Sequence, residues 1–353
     1  MKILAINPGS TSTKVAVYDD RQLVKELTLR HSTEEIAAWP TVMDQFDFRM
    51  KIIVEAVERA GIELSQIEAV IGRGGLVKPI ASGVYEVNEA LKHDLRHPVG
   101  QHASNLGGLL ADEIARRVGA RAFIADPVVV DEMSEMAHLT GLPQIRRTSI
   151  FHALNQKAIA RLYAERRGVS YESLDLIVAH LGGGISVSAH RHGQVTDTND
   201  ALSGDGPFSP ERAGTLPAEA LVELCFSGRY DKAQIKKMLN GRGGVVALLG
   251  TNNIIEVIDR ADAGDAKASL VLDAMCYNIG KQIGAMAAVL HGRVDAILLT
   301  GGIAYSQRIC DAIGRMVRFI APVEVMPGEN ELEALAMNAL RVMKGEIEPK
   351  VYR

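Results

Sequence analysis

Aromatic residues supply only 5 % of this 353-residue chain, with a single tryptophan, and no stretch of about 18 uncharged apolar residues, the least that spans a bilayer as a helix, occurs in it. A membrane-spanning helix is therefore not expected. The first apolar run, Ile3 to Ile6, stops at Asn7-Pro8 and is too short for a secretory leader. Cysteine is scarce: Cys225, Cys276 and Cys310 fall in helical patterns without metal or disulfide spacing, which suits buried reduced thiols in a cytoplasmic protein. Basic excess is missing too. With 39 Lys and Arg against 43 Asp and Glu, the net charge of −4 offers no field for nucleic acid or an anionic membrane surface. The pairs Arg116-Arg117, Arg146-Arg147 and Arg166-Arg167 read as solvated helix ends or loops, and His190 and His192 as a surface hairpin tip. The commonest nucleotide motifs are absent. Gly9 to Lys14 lacks the second glycine and the Ser/Thr after lysine of a Walker A loop, and no G-x-G-x-x-G opens a helix after a strand.

What is present is an alternating α/β pattern in a chain too long for one average core, so two domains are expected. Strands are expected near 2–7, 14–19, 22–30, 67–72 and 120–125, with helices near 41–60 and 103–118. Further strands are expected near 174–181, 185–190, 194–198, 296–300 and 323–326. They alternate with helices near 153–167, 217–227, 231–239, 254–290 (broken at Gly264), 306–319 and 331–344. The crossover between domains is expected near 148–170.

Two glycine-containing turns carry the chemistry. Asn7-Pro-Gly-Ser-Thr-Ser-Thr-Lys14 follows the run Ile3 to Ile6, and His180-Leu-Gly-Gly-Gly-Ile-Ser186 follows Leu176 to Ala179. One such turn is ordinarily a hairpin. Two, each with a polar residue ending an apolar strand, suggest paired phosphate-binding units, because glycine lets backbone N–H groups converge on an anion. In the first, Ser10, Ser12 and Lys14 add hydroxyls and charge; in the second, Gly182, Gly183 and Gly184 leave the backbone bare. A third glycine site, Gly301-Gly302-Ile303, follows the strand Ala296 to Thr300, where an open α/β sheet binds ligands beyond its carboxyl ends.

These segments, ILAINPGSTSTK (3–14) and IVAHLGGGISVSAHRHG (177–193), resemble the two signatures of the acetate and butyrate kinase family. The stretches GRGGLVKPI (72–80), DPVVVDE (126–132), LSGDGPFSPERAG (202–214) and LLTGGIAYS (298–306) are similar to its butyrate branch. The resemblance runs from Met1 to the terminal helix. It implies an α/β, two-domain, duplicated actin-like ATPase (ribonuclease H-like) fold with an interdomain cleft, shared with sugar kinases and the heat-shock ATPases. The terminal helix would pack on the first domain, giving domains of 1–152 plus 331–353 and 153–330. It further implies ATP/ADP with Mg²⁺, a short-chain carboxylate or its acyl phosphate as partner, and a homodimer or higher homo-oligomer.

Transfer of a γ-phosphoryl group to a carboxylate needs in-line placement, a divalent cation and donors around the equatorial oxygens. It needs no general base, because the acceptor is already ionised at neutral pH. Asp126, ending the run Ala122 to Ala125, therefore suits metal-water positioning better than proton abstraction. Arg73 and Arg212 stand in glycine- and proline-rich loops, and an arginine fork matches phosphate or carboxylate. The resemblance makes them the carboxylate anchor and the transition-state clamp, and supports His180 as a donor to the γ-phosphoryl oxygens. Mg²⁺ is expected on Asn7, Asp126 and Glu331, with Glu329 and Glu333 as neighbours that sequence does not separate from Glu331.

The resemblance also places the adenosine site at Gly301 to Ile303 and a second nucleotide element at 243–253. There the chain departs from its relatives, with Asn253 and Ile255 in place of Asp and Arg. Positions expected to line the acyl pocket carry Gly75, Gly100 and Ala179, smaller than in acetate-specific relatives, so a four-carbon acid is expected. Two alternatives stand beside a butyrate kinase activity: a branched-chain fatty acid kinase, and a nucleotide-dependent scaffold or sensor of the actin or heat-shock type.

Overall fold

The computed structural model describes residues 1–98 and 100–353. The chain divides into two compact units, Met1–Val130 with Asn330–Arg353, and Asp131–Glu329. The first contains a six-stranded sheet in the order β3-β2-β1-β4-β6-β5. Its strands are β1 (Lys2–Pro8), β2 (Ser12–Asp19), β3 (Gln22–Arg30), β4 (Ala69–Arg73), β5 (Val84–Glu86) and β6 (Arg121–Ala125). β1, β2 and β3 form an antiparallel meander, while β4 and β6 run parallel beyond β1. β1 lies between two neighbours, and every residue from Ile3 to Pro8 is buried, which is why it reads as a continuous apolar run. Leu4 and Ile6 pack with Ile53 and Val57 of the helix Phe46–Arg59 and with Leu106 and Leu110 of the helix Asn105–Val118. The terminal helix Glu331–Met343 packs on β1 and β4 of this unit, as expected.

The second unit repeats the plan. Its sheet has the order β11-β10-β7-β8-β9, from β7 (Asp175–Leu181), β8 (Ile185–Arg191), β9 (Gln194–Thr198), β10 (Ala296–Thr300) and β11 (Val323–Val325). Again an antiparallel meander is followed by two parallel strands beyond its first member. Ile177, Ala179 and Leu181 face the helix Ala266–Val289, and Leu176 and Val178 face the helix Ala153–Arg167. The expected helix break holds: Gly264 separates the helices Ile254–Asp262 and Ala266–Val289, and Asp265 caps the second through the Lys267 and Ala268 N–H groups.

Several expectations change. The units part at 130/131 and 329/330, earlier than the expected 152/153 and 330/331. Residues 131–152 are tied to the second unit: Glu132 pairs with buried Lys157 at 2.7 Å, Ser134 N–H donates to the Thr196 carbonyl, and Arg147 reaches the Thr198 carbonyl and Asp197. Arg147 is thus a half-buried staple, not a solvated end. Burial raises the pKa of Asp197, which Arg147 only partly offsets. β5 and the helix Glu89–Arg96 are additional elements, too short for a clear periodic signal. His190 is not at the hairpin tip. It lies in β8, which is buried on both faces from Ile185 through His190, while His192 is exposed at φ 50°. Cys276 and Cys310 are buried, with thiols pushed up to about 11 by burial, whereas Cys225 is exposed.

Candidate active site

Within each unit the sequence-predicted residues gather at the carboxyl ends of the parallel strands. In the first unit these ends carry Asn7 (β1), Arg73 (β4) and Asp126, one residue beyond β6. Asn7 Nδ2 donates to Glu331 Oε2 at 2.5 Å, and Arg73 Nη1 lies 3.1 Å from the same oxygen and 3.4 Å from Asn7 Oδ1. Glu331 is therefore the acidic neighbour that joins this cluster. Glu333 instead acts on Tyr18, whose pKa burial and Glu333 together push up to about 12. Glu329 falls in the other unit, 3.6 Å from His180. Asp126 adopts φ 38°, and its Oδ1 accepts from Ser82 Oγ at 2.6 Å and Gly83 N–H at 2.8 Å. A non-glycine residue held in that region fixes its carboxylate through the surrounding structure.

The first turn closes through Gly9 N–H to the Ser12 carbonyl at 2.7 Å, leaving Ser10 and Lys14 exposed. Beneath it lies a residue that the sequence reading missed. Arg49, fully buried, donates to Thr13 Oγ1 at 2.8 Å, to the Ser12 carbonyl at 3.3 Å and twice to Gln45 Oε1. Burial lowers its pKa to about 10, so it stays charged at neutral pH. A base whose folded-state value lies below its unfolded one opposes folding at neutral pH. That penalty is relieved only as pH rises above about 10. Arg49 is better explained by the turn it holds than by the stability it gives.

In the second unit His180, 1 % exposed, directs Nδ1 to Asn155 Oδ1 at 2.7 Å and stacks on His152, with ring centroids 3.7 Å apart and planes 10° apart. Arg212 lies against the 182–184 turn. A Cβ on Gly184 would overlap its guanidinium, and Nη1 donates to the Ala201 carbonyl. Its Nε is buried without a hydrogen-bond partner among the described residues. Burial lowers the Arg212 pKa from its ordinary value, with Glu211 and Asp200 opposing. Ser209 Oγ donates to the Gly183 carbonyl at 2.6 Å, so the 201–214 loop is fastened to the turn. This is a donor-rich surface suited to oxyanions. Gly301, at φ 87°, pairs with Gly328 through two hydrogen bonds of 3.1 Å, and a Cβ there would overlap the Leu181 backbone. Gly302 opens outward with nothing near its missing Cβ, and Ile303 is 9 % exposed. Asn253 caps the helix Ile254–Asp262 with its side-chain oxygen, while Ile255 is exposed.

The expected acyl-pocket residues fare differently. Ala179 is wholly buried in the core of the second unit, opposite Val187 and Leu299, and lines no open space. Gly75 is a close-packing position: a Cβ would come within 2.6 Å of Asn105 Cα and 3.0 Å of Leu95 Cδ2. At Gly100 a Cβ would meet the tip of the Leu76 side chain, with Cδ1 at 3.1 Å, closer than an ordinary contact but against a group that can shift. Gly75→Val should therefore destabilise the fold by about 1–3 kcal/mol through overpacking. Acetate and butyrate turnover should then fall in equal proportion, as measured by kcat/KM for both acids alongside a denaturation midpoint. Selective loss of butyrate turnover would restore the pocket reading.

His152 was also missed. It precedes the helix Ala153–Arg167, and its signal in the sequence is the polar run His152, Asn155, Gln156, Lys157, of which the last three are buried where an amphipathic helix would show apolar residues.

Residues 132–325 match the model of the acetokinase family. Over 354 residues the chain is 52 % identical to the probable butyrate kinase of Bacteroides thetaiotaomicron, covering all of both chains. It is also 52 % identical to butyrate kinase 1 of Clostridium acetobutylicum, covering 100 % of this chain and 99 % of that one. The acetate kinase structure from Porphyromonas gingivalis superposes with a TM-score of 0.80 at 19 % identity, covering 97 % and 99 % of the two chains, which shows the shared fold. With donors gathered at the strand ends of a duplicated fold, and with these relatives, the chain belongs to the acetokinase family and is a phosphotransferase with a carboxylate acceptor.

Proposed function

We propose that the chain catalyses butanoate + ATP = butanoyl phosphate + ADP by direct in-line transfer. The observation that carries this reading is the Arg212 guanidinium held against the Gly182–Gly184 turn beside the stacked His152 and His180. Two full-length relatives described as butyrate kinases support the acceptor. Arg212 and His152 donate to the γ-phosphoryl oxygens as charge develops on them, and His180, whose Nδ1–H is turned to Asn155, joins them at Nε2 when its ring is protonated. Ser10, Ser12, Lys14 and the backbone of 182–184 hold phosphate, and Gly301 to Ile303 border the adenosine. Arg73 anchors the acceptor carboxylate by its fork.

Asn7 Oδ1 and the Glu331 carboxylate, held together by Arg73 and the Asn7 amide, would be the hard oxygen donors for a Mg²⁺ ion, with Asp126 as the further carboxylate at the strand ends of this unit. When bound, that ion neutralises charge on the β- and γ-phosphates. The acceptor is ionised, so none of these side chains has to remove a proton from it.

Hydroxylamine trapping of acyl phosphate across C2 to C6 acids, isobutyrate and isovalerate included, tests this. Butyrate should outperform acetate in kcat/KM. ATP hydrolysis without hydroxamate from any acid would sink the kinase reading in favour of a nucleotide-dependent scaffold, and a preference for isobutyrate or isovalerate would move the acceptor to branched acids.

A further inference from the structure

A chain of hydrogen-bonded side chains in the second unit ends on His152. Tyr171 Oη lies 2.7 Å from His190 Nδ1, and His190 Nε2 lies 2.9 Å from Gln156 Oε1. Gln156 Nε2 donates to Ser186 Oγ at 2.8 Å, and Ser186 Oγ lies 2.8 Å from His152 Nδ1. Tyr171, His190, Gln156 and Ser186 are all buried.

Main-chain carbonyls orient the Gln156 and Asn155 amides, and the directions along the chain follow from those two groups. Gln156 Nε2 also donates to the Ser186 carbonyl at 3.1 Å, which an amide oxygen cannot do, so Oε1 faces His190. That oxygen only accepts. His190 therefore carries its proton on Nε2 and receives the Tyr171 hydroxyl at Nδ1. Burial, with Lys157 and Arg161 nearby, lowers its pKa well below the ordinary histidine value, in keeping with a neutral ring. Ser186 Oγ already receives Gln156 Nε2–H and, at 3.4 Å, the His152 backbone N–H. Its one acceptor among the described contacts is His152 Nδ1. The hydroxyl proton goes there, and His152 is left with its own proton on Nε2.

His180 is set the opposite way. Asn155 Nδ2 donates to the carbonyls of Gly328 at 3.3 Å and Glu329 at 3.0 Å, so Asn155 Oδ1 must accept from His180 Nδ1–H. The neutral His180 ring then presents a lone pair at Nε2, and it donates there only as the cation. Two cationic rings stacked at 3.7 Å would repel each other. Protonating His152 would also turn its Nδ1–H toward Ser186 and strand the buried hydroxyl proton.

We propose that the Tyr171, His190, Gln156 and Ser186 chain holds His152 as a neutral Nε2–H donor to the transferring phosphoryl group, while Asn155 holds the stacked His180 in the other tautomer. Ser186, Gln156, His190 and Asn155 are positioning residues in this scheme, which rests on the carboxylate-kinase reading above.

Long-range ¹H–¹⁵N correlation NMR of the ¹⁵N-histidine-labelled protein tests it, with resonances assigned through His152→Gln, His180→Gln and His190→Gln. His152 and His190 should show the Nε2–H pattern and His180 the Nδ1–H pattern. An Nδ1–H or averaged signal from His152 in the unaltered protein overturns the proposal, whether or not any variant folds. Ser186→Ala should convert His152 to an averaged signal and lower kcat about tenfold, the worth of one hydrogen bond, with little change in KM for ATP. If Ser186→Ala keeps both the His152 signature and kcat, the relay does not set the tautomer. The tautomers are read without turnover, whereas absence of acyl hydroxamate in the unaltered protein would strike the kinase reading on its own.

Discussion

Arg212→Ala and His180→Ala should each lower kcat by about 10²- to 10³-fold, or roughly 2.7–4 kcal/mol, the effect of removing one donor from an oxyanion site. KM for ATP and for the carboxylate should move far less. A donor aimed at oxygens that gain charge during transfer contributes to the transition state more than to the bound ground state. The buried Arg212 Nε fits that role, since it has no hydrogen-bond partner among the described residues and Nη1 is already committed to the Ala201 carbonyl. Arg212→Lys should recover little. A lysine supplies the charge but not the planar fork, and its ammonium cannot donate at both Nη1 and Nε positions. Steady-state kinetics with each substrate varied, on variants whose thermal unfolding matches the unaltered protein, check this. A folded Arg212→Ala enzyme with nearly intact kcat would remove arginine from the transfer step.

The two turns were legible because each interrupts an apolar strand with one polar residue, and both Asn7 and His180 fall at the penultimate position of their strands. Duplication was legible for the same reason, since the periodic patterns of 2–30 and 174–198 are alike and fold into like meanders. What escaped was polar chemistry inside helices. Arg49 shares the inward stripe of Met50, Ile53 and Val57, and Asn155, Gln156 and Lys157 occupy buried positions in a helix with no clean apolar face. A charged residue on an apolar stripe was the available signal. Its meaning depends on contacts with Thr13 and Gln45 that sequence spacing does not encode. Pocket shape failed for a related reason. A small residue marks either empty space or close approach of a neighbour, and Gly75 and Ala179 are of the second kind. Of the three glutamates before and within the last helix, Glu329 parts from the others at the boundary between the units, whereas Glu331 and Glu333 part by direction, the first toward Asn7 and Arg73 and the second toward Tyr18.

Gly184→Ala should be nearly as damaging as Arg212→Ala, with a loss in kcat on the order of 10²-fold, for a reason that lies wholly in Arg212. Gly184 does not have a positive φ, so alanine meets no backbone penalty there. Its methyl carbon would instead occupy the place of the Arg212 guanidinium, overlapping Nη1 and Cζ. The arginine cannot yield at small cost. Its backbone is tied down by Ser209 N–H to the Arg212 carbonyl at 3.0 Å, and the loop is fastened to the same turn by Ser209 Oγ on the Gly183 carbonyl. The side chain must therefore swing out of the site, and the transferring group loses its clamp. Mutations that act through one shared group are not additive. The double variant Gly184→Ala with Arg212→Ala should accordingly be no slower than Arg212→Ala alone, because the methyl then has no guanidinium to displace. Comparing kcat for the four proteins closes the cycle. Multiplying losses would mean that Gly184 serves the phosphates through its own backbone, independently of Arg212.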